Sequence, residues 1–138
     1  MLKKQKVVFL TVCAFFCLCL PVGAVTWDMP TPYPDKTFHT VNILQFAKEV
    51  KEATKGELEI QVHSAGSLFK HPEIKNAVRS GQVPIGEFFL SLLANENGMF
   101  GLDSVPFVAT SYEDGVAMWA AQKDPVTKLF AKQKMMPL

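Results

Sequence analysis

Cysteine is absent from nearly all of the chain: Cys13, Cys17 and Cys19 share one seven-residue stretch and no other cysteine follows. That stretch lies inside the uncharged apolar run Val7 to Leu20, behind Lys3, Lys4 and Lys6 and ahead of Pro21-Val22-Gly23-Ala24. Basic, apolar and small-residue zones in this order predict an export signal, Met1 to Ala24, cleaved after Ala24. A run of about 14 residues is shorter than the roughly 20 that a helix needs to span a bilayer, which disfavours a retained anchor. No Leu-Ala-Gly-like stretch precedes a cysteine to direct lipid attachment. The exported part then has no disulfide and no thiolate metal site, and its core must hold without covalent staples.

An excess of positive charge is absent as well. The full chain has 14 basic and 13 acidic residues, and removal of the signal leaves eleven against thirteen, a balance of −2. With no basic cluster interleaved with stacking aromatics, nucleic acid is not an expected partner. Arginine is scarce, Arg79 being the single one. There is no Gly-Lys-Ser phosphate loop, and Ser64, Gly66 and Ser67 do not form a nucleophile elbow. His39 and His63 fall on different elements outside ligand spacing, so no metal is expected, and no motif implies a cofactor. No repeat, linker or low-complexity stretch divides the remaining 114 residues, which suit one domain.

What is present is an alternation of strand and helix patterns. Val25-Thr26-Trp27 favours a strand, and three prolines between Pro30 and Pro34 predict a stiff loop after it. Ile43, Phe46, Ala47 and Val50 recur at helical spacing opposite Lys48, Glu49, Lys51 and Glu52, predicting a helix over Lys36 to Lys55, capped by Asp35 or Thr37 and stopped at Gly56. Glu57 to His63 alternates polar and apolar and reads as a strand with one covered face. Pro72 opens a second helix that buries Ile74, Ala77 and Val78 and ends at Gly81; Val83 to Phe89 reads as a third, less regular strand. Beyond it a short helix is expected over Ser91 to Asn97, an extended connection over Phe100 to Phe107, and two helices over Tyr112 to Gln122 and Pro125 to Gln133. The order strand, helix, strand, helix, strand predicts an α/β fold with a parallel sheet and right-handed crossovers. Ligands then belong beyond the carboxyl ends of the strands, at 28–37, 64–71 and 87–95.

These residues resemble the solute receptors of tripartite ATP-independent periplasmic (TRAP) transporters, of the dicarboxylate-receptor type. The resemblance rests on Phe46-Ala47-Lys48-Glu49-Val50, on Gly56 to Ile60 leading into Ser64-Ala65-Gly66-Ser67-Leu68, on Ile74 to Gly81 with Val83, and on Gly101-Leu102-Asp103-Ser104-Val105-Pro106-Phe107. It implies the amino-terminal lobe, 25–138, of a two-lobed periplasmic-binding-protein type II-like receptor. Such a receptor closes on a small organic acid and hands it to a membrane permease. It also implies a truncated chain, because Leu138 falls about where the family's chain crosses into its second lobe, which holds the family's principal carboxylate-gripping arginine. Arg79, near a helix end, is expected to be solvated instead. An isolated lobe is expected to expose the apolar surface that meets its partner lobe.

The family's cleft position after the third strand makes Glu87, Phe89 and Ser91 the first candidates: Glu87 to accept from solute hydroxyls, Phe89 to supply an apolar wall, Ser91 to donate to a carboxylate. For Phe88 and Phe89 the alternative is core packing. Lys70 and His71 precede the second helix, where a cation suits an anionic solute; loop solvation is the alternative. Tyr33 and Asp28 flank the first loop, Tyr33 to bracket a ring or carbon chain and Asp28 to orient a polar group, while Trp27 is read as packing. Two other classes remain open: a hydrolase that pairs Asp28 with Glu87 across converging loops, and a remnant or interaction module without a solute.

Overall fold

The structure, a computed structural model, describes residues 23–138; the expected export signal therefore lies outside the described residues except for Gly23 and Ala24. Strand β1 (Val25–Pro30) and strand β2 (Leu58–His63) form a two-stranded parallel sheet in the register Val25 to Leu58 through Pro30 to His63. Alternation places Trp27, Met29, Ile60 and Val62 on one face and Thr26, Asp28, Glu59 and Gln61 on the other.

The crossover is α1 (Phe38–Ala53), which packs on β2. Of the two candidate caps, Thr37 serves, its hydroxyl accepting the Thr40 N–H. Ala47 is buried, and Ile43, Phe46 and Val50 are half-buried on the same stripe. The expected stop at Gly56 is observed with φ of 83°, a conformation costly for any residue with a Cβ, and its N–H closes the helix onto the Lys51 carbonyl at 2.8 Å. Helix α2 (His71–Arg79) buries Ile74 and Ala77 as expected. It also buries Lys75, whose ammonium is held by the Glu96 carboxylate.

The third expected strand does not form. Residues 84–89 carry no regular structure and no ladder, and the Glu87 N–H to the Pro30 carbonyl, 3.0 Å, is the one main-chain bond between this segment and β1. Pro84 has no N–H to give. Packing holds the segment instead: Ile85 is buried, and Gly86 lies so close to α2 that an added Cβ would stand 2.7 Å from Ile74 Cγ2.

The short helix expected from Ser91 is a 3₁₀ turn over Leu90–Leu93. Phe100 to Phe107 is not extended throughout, since Gly98–Ser104 is a second 3₁₀ segment opened by the Asn97 side chain, which accepts the Met99 N–H. The two carboxyl-terminal helices are one, α3 (Tyr112–Ala131), with Pro125 inside it. Gln122, Val126 and Phe130 are buried at four-residue spacing across the proline. They bring one continuous stripe onto Leu93 and Phe100, so packing outweighs the lost helix bond. Around the start of α3, Phe107, Tyr112 and Val116 are strongly exposed. No helix among the described residues is long and apolar enough to cross a membrane.

Candidate functional site

The proline-rich loop after β1 does not project freely; it curls back on the turn after β2. The Thr31 N–H bonds the His63 carbonyl at 2.9 Å, the Gly66 N–H returns to the Thr31 carbonyl at 3.0 Å, and the Ala65 N–H reaches the Tyr33 carbonyl at 2.8 Å. Thr40, almost fully buried in the first turn of α1, donates its hydroxyl to the same Tyr33 carbonyl at 3.1 Å. The loop is therefore stitched to β2 and α1 together, and it delivers Thr31 and Tyr33 to the carboxyl end of the sheet.

Glu87 is the centre of this cluster. Thr31, with no exposed surface, accepts the Tyr33 N–H at 3.3 Å, and its single hydroxyl proton goes to Glu87 Oε2 at 2.5 Å. That bond requires Oε2 to be an acceptor and fixes the carboxylate's rotation. Glu87 Oε1 turns toward His39 Nδ1, 3.6 Å away, with the Glu87 side chain 19% exposed. The His39 ring is stacked on Tyr33, with centroids 4.0 Å apart and planes within 10°, and Phe38 leans on it at 3.9 Å. His71, the first residue of α2, presents its ring edgewise to Tyr33 at 5.9 Å, and its Nε2 accepts the Phe89 N–H at 2.9 Å.

The electrostatics follow from this crowding. Burial, and then the Glu87 charge, push the Tyr33 hydroxyl above its ordinary value of 10.0, so it stays a protonated donor. Burial lowers His71 below 6.5 and the Glu87 charge opposes that shift without reversing it, so His71 is a neutral imidazole at pH 7. The cluster thus offers one fixed carboxylate acceptor beside neutral donors, which suits a small polar molecule carrying both kinds of group.

Of the residues singled out from sequence, Glu87, Tyr33 and His71 come together here, His71 as a neutral ring and not the expected cation, and Phe89, 42% exposed, joins through its backbone. The other three are engaged elsewhere. Asp28 Oδ1 meets His63 Nε2 at 2.7 Å on the sheet, so it is not paired with Glu87 as a carboxylate couple. Lys70 Nζ donates to the Gly66 carbonyl at 3.2 Å. Ser91 donates its proton to Asp103 and accepts from Ser104 Oγ at 2.6 Å. Trp27 is half-buried on the sheet. Thr31 and His39 were not legible as site residues; the one signal for His39 is its place in the first turn of a helix that starts at a strand's carboxyl end. Among the described residues no three His, Cys, Asp or Glu side chains are grouped to hold a metal ion.

Among solved structures, DctP6, a Bordetella pertussis extracytoplasmic solute receptor binding pyroglutamic acid, is 43% identical with a TM-score of 0.80, over 81% of this chain and 37% of that one. A marine metagenome TRAP solute binding protein from an unidentified microbe, specific for pyroglutamate, is 50% identical with a TM-score of 0.78, over 80% of this chain and 36% of that one. DctP7, a second B. pertussis receptor binding pyroglutamic acid, is 44% identical with a TM-score of 0.77, over 80% and 36%. The chain thus spans little more than a third of the length of the receptors it matches. No curated protein sequence matches it. Residues 31–136, which include the loop, both helix starts and Glu87, match the bacterial extracellular solute-binding protein family 7 (DctP), and the chain belongs to that family.

Proposed function

We propose that this chain forms one wall of the solute cleft of a periplasmic TRAP receptor, that the solute is pyroglutamate, and that the receptor delivers it to a membrane permease without chemical change. The observation that carries this reading is the Glu87 carboxylate, oriented by Thr31 and facing His39 with its Oε1 beside Tyr33 and His71. Three receptors at 43–50% identity whose solute is pyroglutamate support the choice of solute.

Pyroglutamate is a five-membered lactam with one carboxylate, one ring N–H and one ring carbonyl. A fixed carboxylate is a strong acceptor for the ring N–H, and the Tyr33 hydroxyl suits the ring carbonyl. Glu87 also works against a second negative group. Two unit charges about 5 Å apart repel by about 3 kcal/mol at an effective dielectric of about 20, which disfavours dicarboxylates. In this reading Tyr33 and Phe89 flank the ring, whereas Asp28, Lys70 and Ser91 hold the frame through the contacts described above. The opposing wall and its carboxylate-gripping group belong to the remainder of the receptor.

The test is a chimera in which residues 25–138 replace the matching segment of DctP6, with binding measured by titration calorimetry. Pyroglutamate should bind and malonate should not. Glu87→Gln should weaken pyroglutamate about tenfold, the difference between a charge-assisted and a neutral hydrogen bond. A folded chimera that prefers malonate, or that binds neither acid, refutes the proposal.

A further inference from the structure

We infer that His71 is a positioning residue: its bare Nε2 holds the Phe89 N–H and so fixes the segment bearing Glu87, a hold that exists only while the imidazole is neutral. The donor logic is strict. A backbone amide only donates, so the Nε2 it meets at 2.9 Å must carry a lone pair, and the ring's proton is on Nδ1. An imidazolium donates from both nitrogens and has nothing to offer Phe89.

The hold matters because few main-chain bonds add to the packing of Ile85 and Gly86 in fixing this segment. Among the described residues of 84–89, only Glu87 and Phe89 have bonded N–H groups, Glu87 to the Pro30 carbonyl and Phe89 to His71. Pro84 has no N–H, and those of Ile85, Gly86 and Phe88 have no partner among the described residues. The two bonds sit at alternate residues, as a ladder's would. The segment forms no strand, and a side chain of α2 supplies the second of its two N–H acceptors.

The groups around His71 set the sign of its response to pH. Tyr33 faces it edge-on, with His39 stacked beyond, and the Glu87 charge favours the imidazolium. From its own element, Lys70 precedes it with Nζ on the Gly66 carbonyl, and Glu73 is occupied with the Lys70 N–H at 2.9 Å. The amino terminus of α2 disfavours a cation, and burial lowers His71 from 6.5. The held state therefore binds the proton less readily than the released state. The hold is complete above pH 6.5 and is lost as pH falls through the lowered value. If Glu87 receives the solute as proposed above, affinity falls with it.

The closing experiment reads the hold in the protein alone, so its outcome is separable from the identity of the solute. In ¹⁵N-labelled protein, His71 should show a bare Nε2 at about pH 7.5, and the protection of the Phe89 amide, relative to its intrinsic exchange rate at each pH, should fall as His71 titrates below 6.5. His71→Gln, whose side-chain carbonyl reaches the same place, should keep Phe89 protected at every pH. His71→Leu should lose the protection. A proton on Nε2 at that pH, or unchanged Phe89 protection in His71→Leu, overturns the inference. In the chimera, pyroglutamate affinity should drop about tenfold between about pH 7.5 and about pH 5 with His71 in place and stay flat in the His71→Gln variant, since one linked proton changes affinity by up to about tenfold per pH unit. A confirmed hold with no such difference would sink the link to the solute while leaving the hold established.

Discussion

Gly86→Ala puts the packing account of the 84–89 segment to its sharpest test. The added Cβ would stand 2.7 Å from Ile74 Cγ2, 3.2 Å from Val78 Cγ2 and 3.5 Å from Pro30 Cγ. Carbon atoms prefer about 3.5–4.0 Å, so α2 and the segment must separate by about 1 Å. Ile74 has no exposed surface, and Cγ2 is fixed to its Cβ, so the side chain cannot swing away. Overpacking of this kind costs about 1–3 kcal/mol, against a gain of about 0.4–1 kcal/mol from the stiffer unfolded chain where alanine fits the backbone. The net expectation is a loss of about 1–2 kcal/mol, read as a urea midpoint lowered by about 1 M at a slope of about 1.5 kcal/mol/M. Ile74→Leu removes the branch at Cβ and should rescue Gly86→Ala, giving a favourable coupling of about 1 kcal/mol in a double-mutant cycle. A midpoint unchanged or raised in Gly86→Ala would refute the close approach, and an additive cycle would refute Ile74 as its cause.

Two further perturbations probe the rest of the fold. Glu96→Gln leaves the Lys75 ammonium, 8% exposed, without its counter-charge, and a partner that is itself 39% exposed reduces the loss to about 1–3 kcal/mol in urea unfolding. The pair Lys75→Met with Glu96→Leu should return to within about 1 kcal/mol of the parent, and a neutral Glu96→Gln would show the ammonium to be solvated. Pro125→Ala restores an N–H for the Ala121 carbonyl inside α3 and should stabilise by about 1–2 kcal/mol, net of unfolded-chain entropy; a lower melting temperature would mean that the proline's own packing is needed.

The end of the sheet at which the candidate site lies was legible because the element order follows from local pattern. The apolar stripe of Ile43, Phe46, Ala47 and Val50, the alternation of Glu57 to His63 and the stop at Gly56 fix a strand, helix, strand order. That order sends the loops after each strand to one end, where Glu87 and Tyr33 are found together. Local pattern failed where a side chain's partner is remote. Val83 to Phe89 has the composition of a strand, but whether it pairs depends on a neighbour the segment cannot specify, and the neighbour it finds is α2. Pro125 reads locally as a break, yet Val126 and Phe130 must reach the same core as Gln122, and that demand comes from Phe100 and Leu93.

The same distinction governs the chemistry of the site. A residue's type says what it can donate or accept, but not whether that capacity is already spent. Ser91 and Asp28 have the right chemistry for a solute and satisfy it on Asp103 and His63. Thr31 has unremarkable chemistry for a loop, and becomes decisive because burial leaves its one proton a single destination, 56 residues away. In the function proposed above, Glu87 is then the residue that receives the solute, with its second oxygen 3.6 Å from His39 Nδ1. Its availability is the product of two contacts made by others, Thr31 on its carboxylate and His71 on the backbone two residues later, and a change in either should alter binding without touching Glu87 itself.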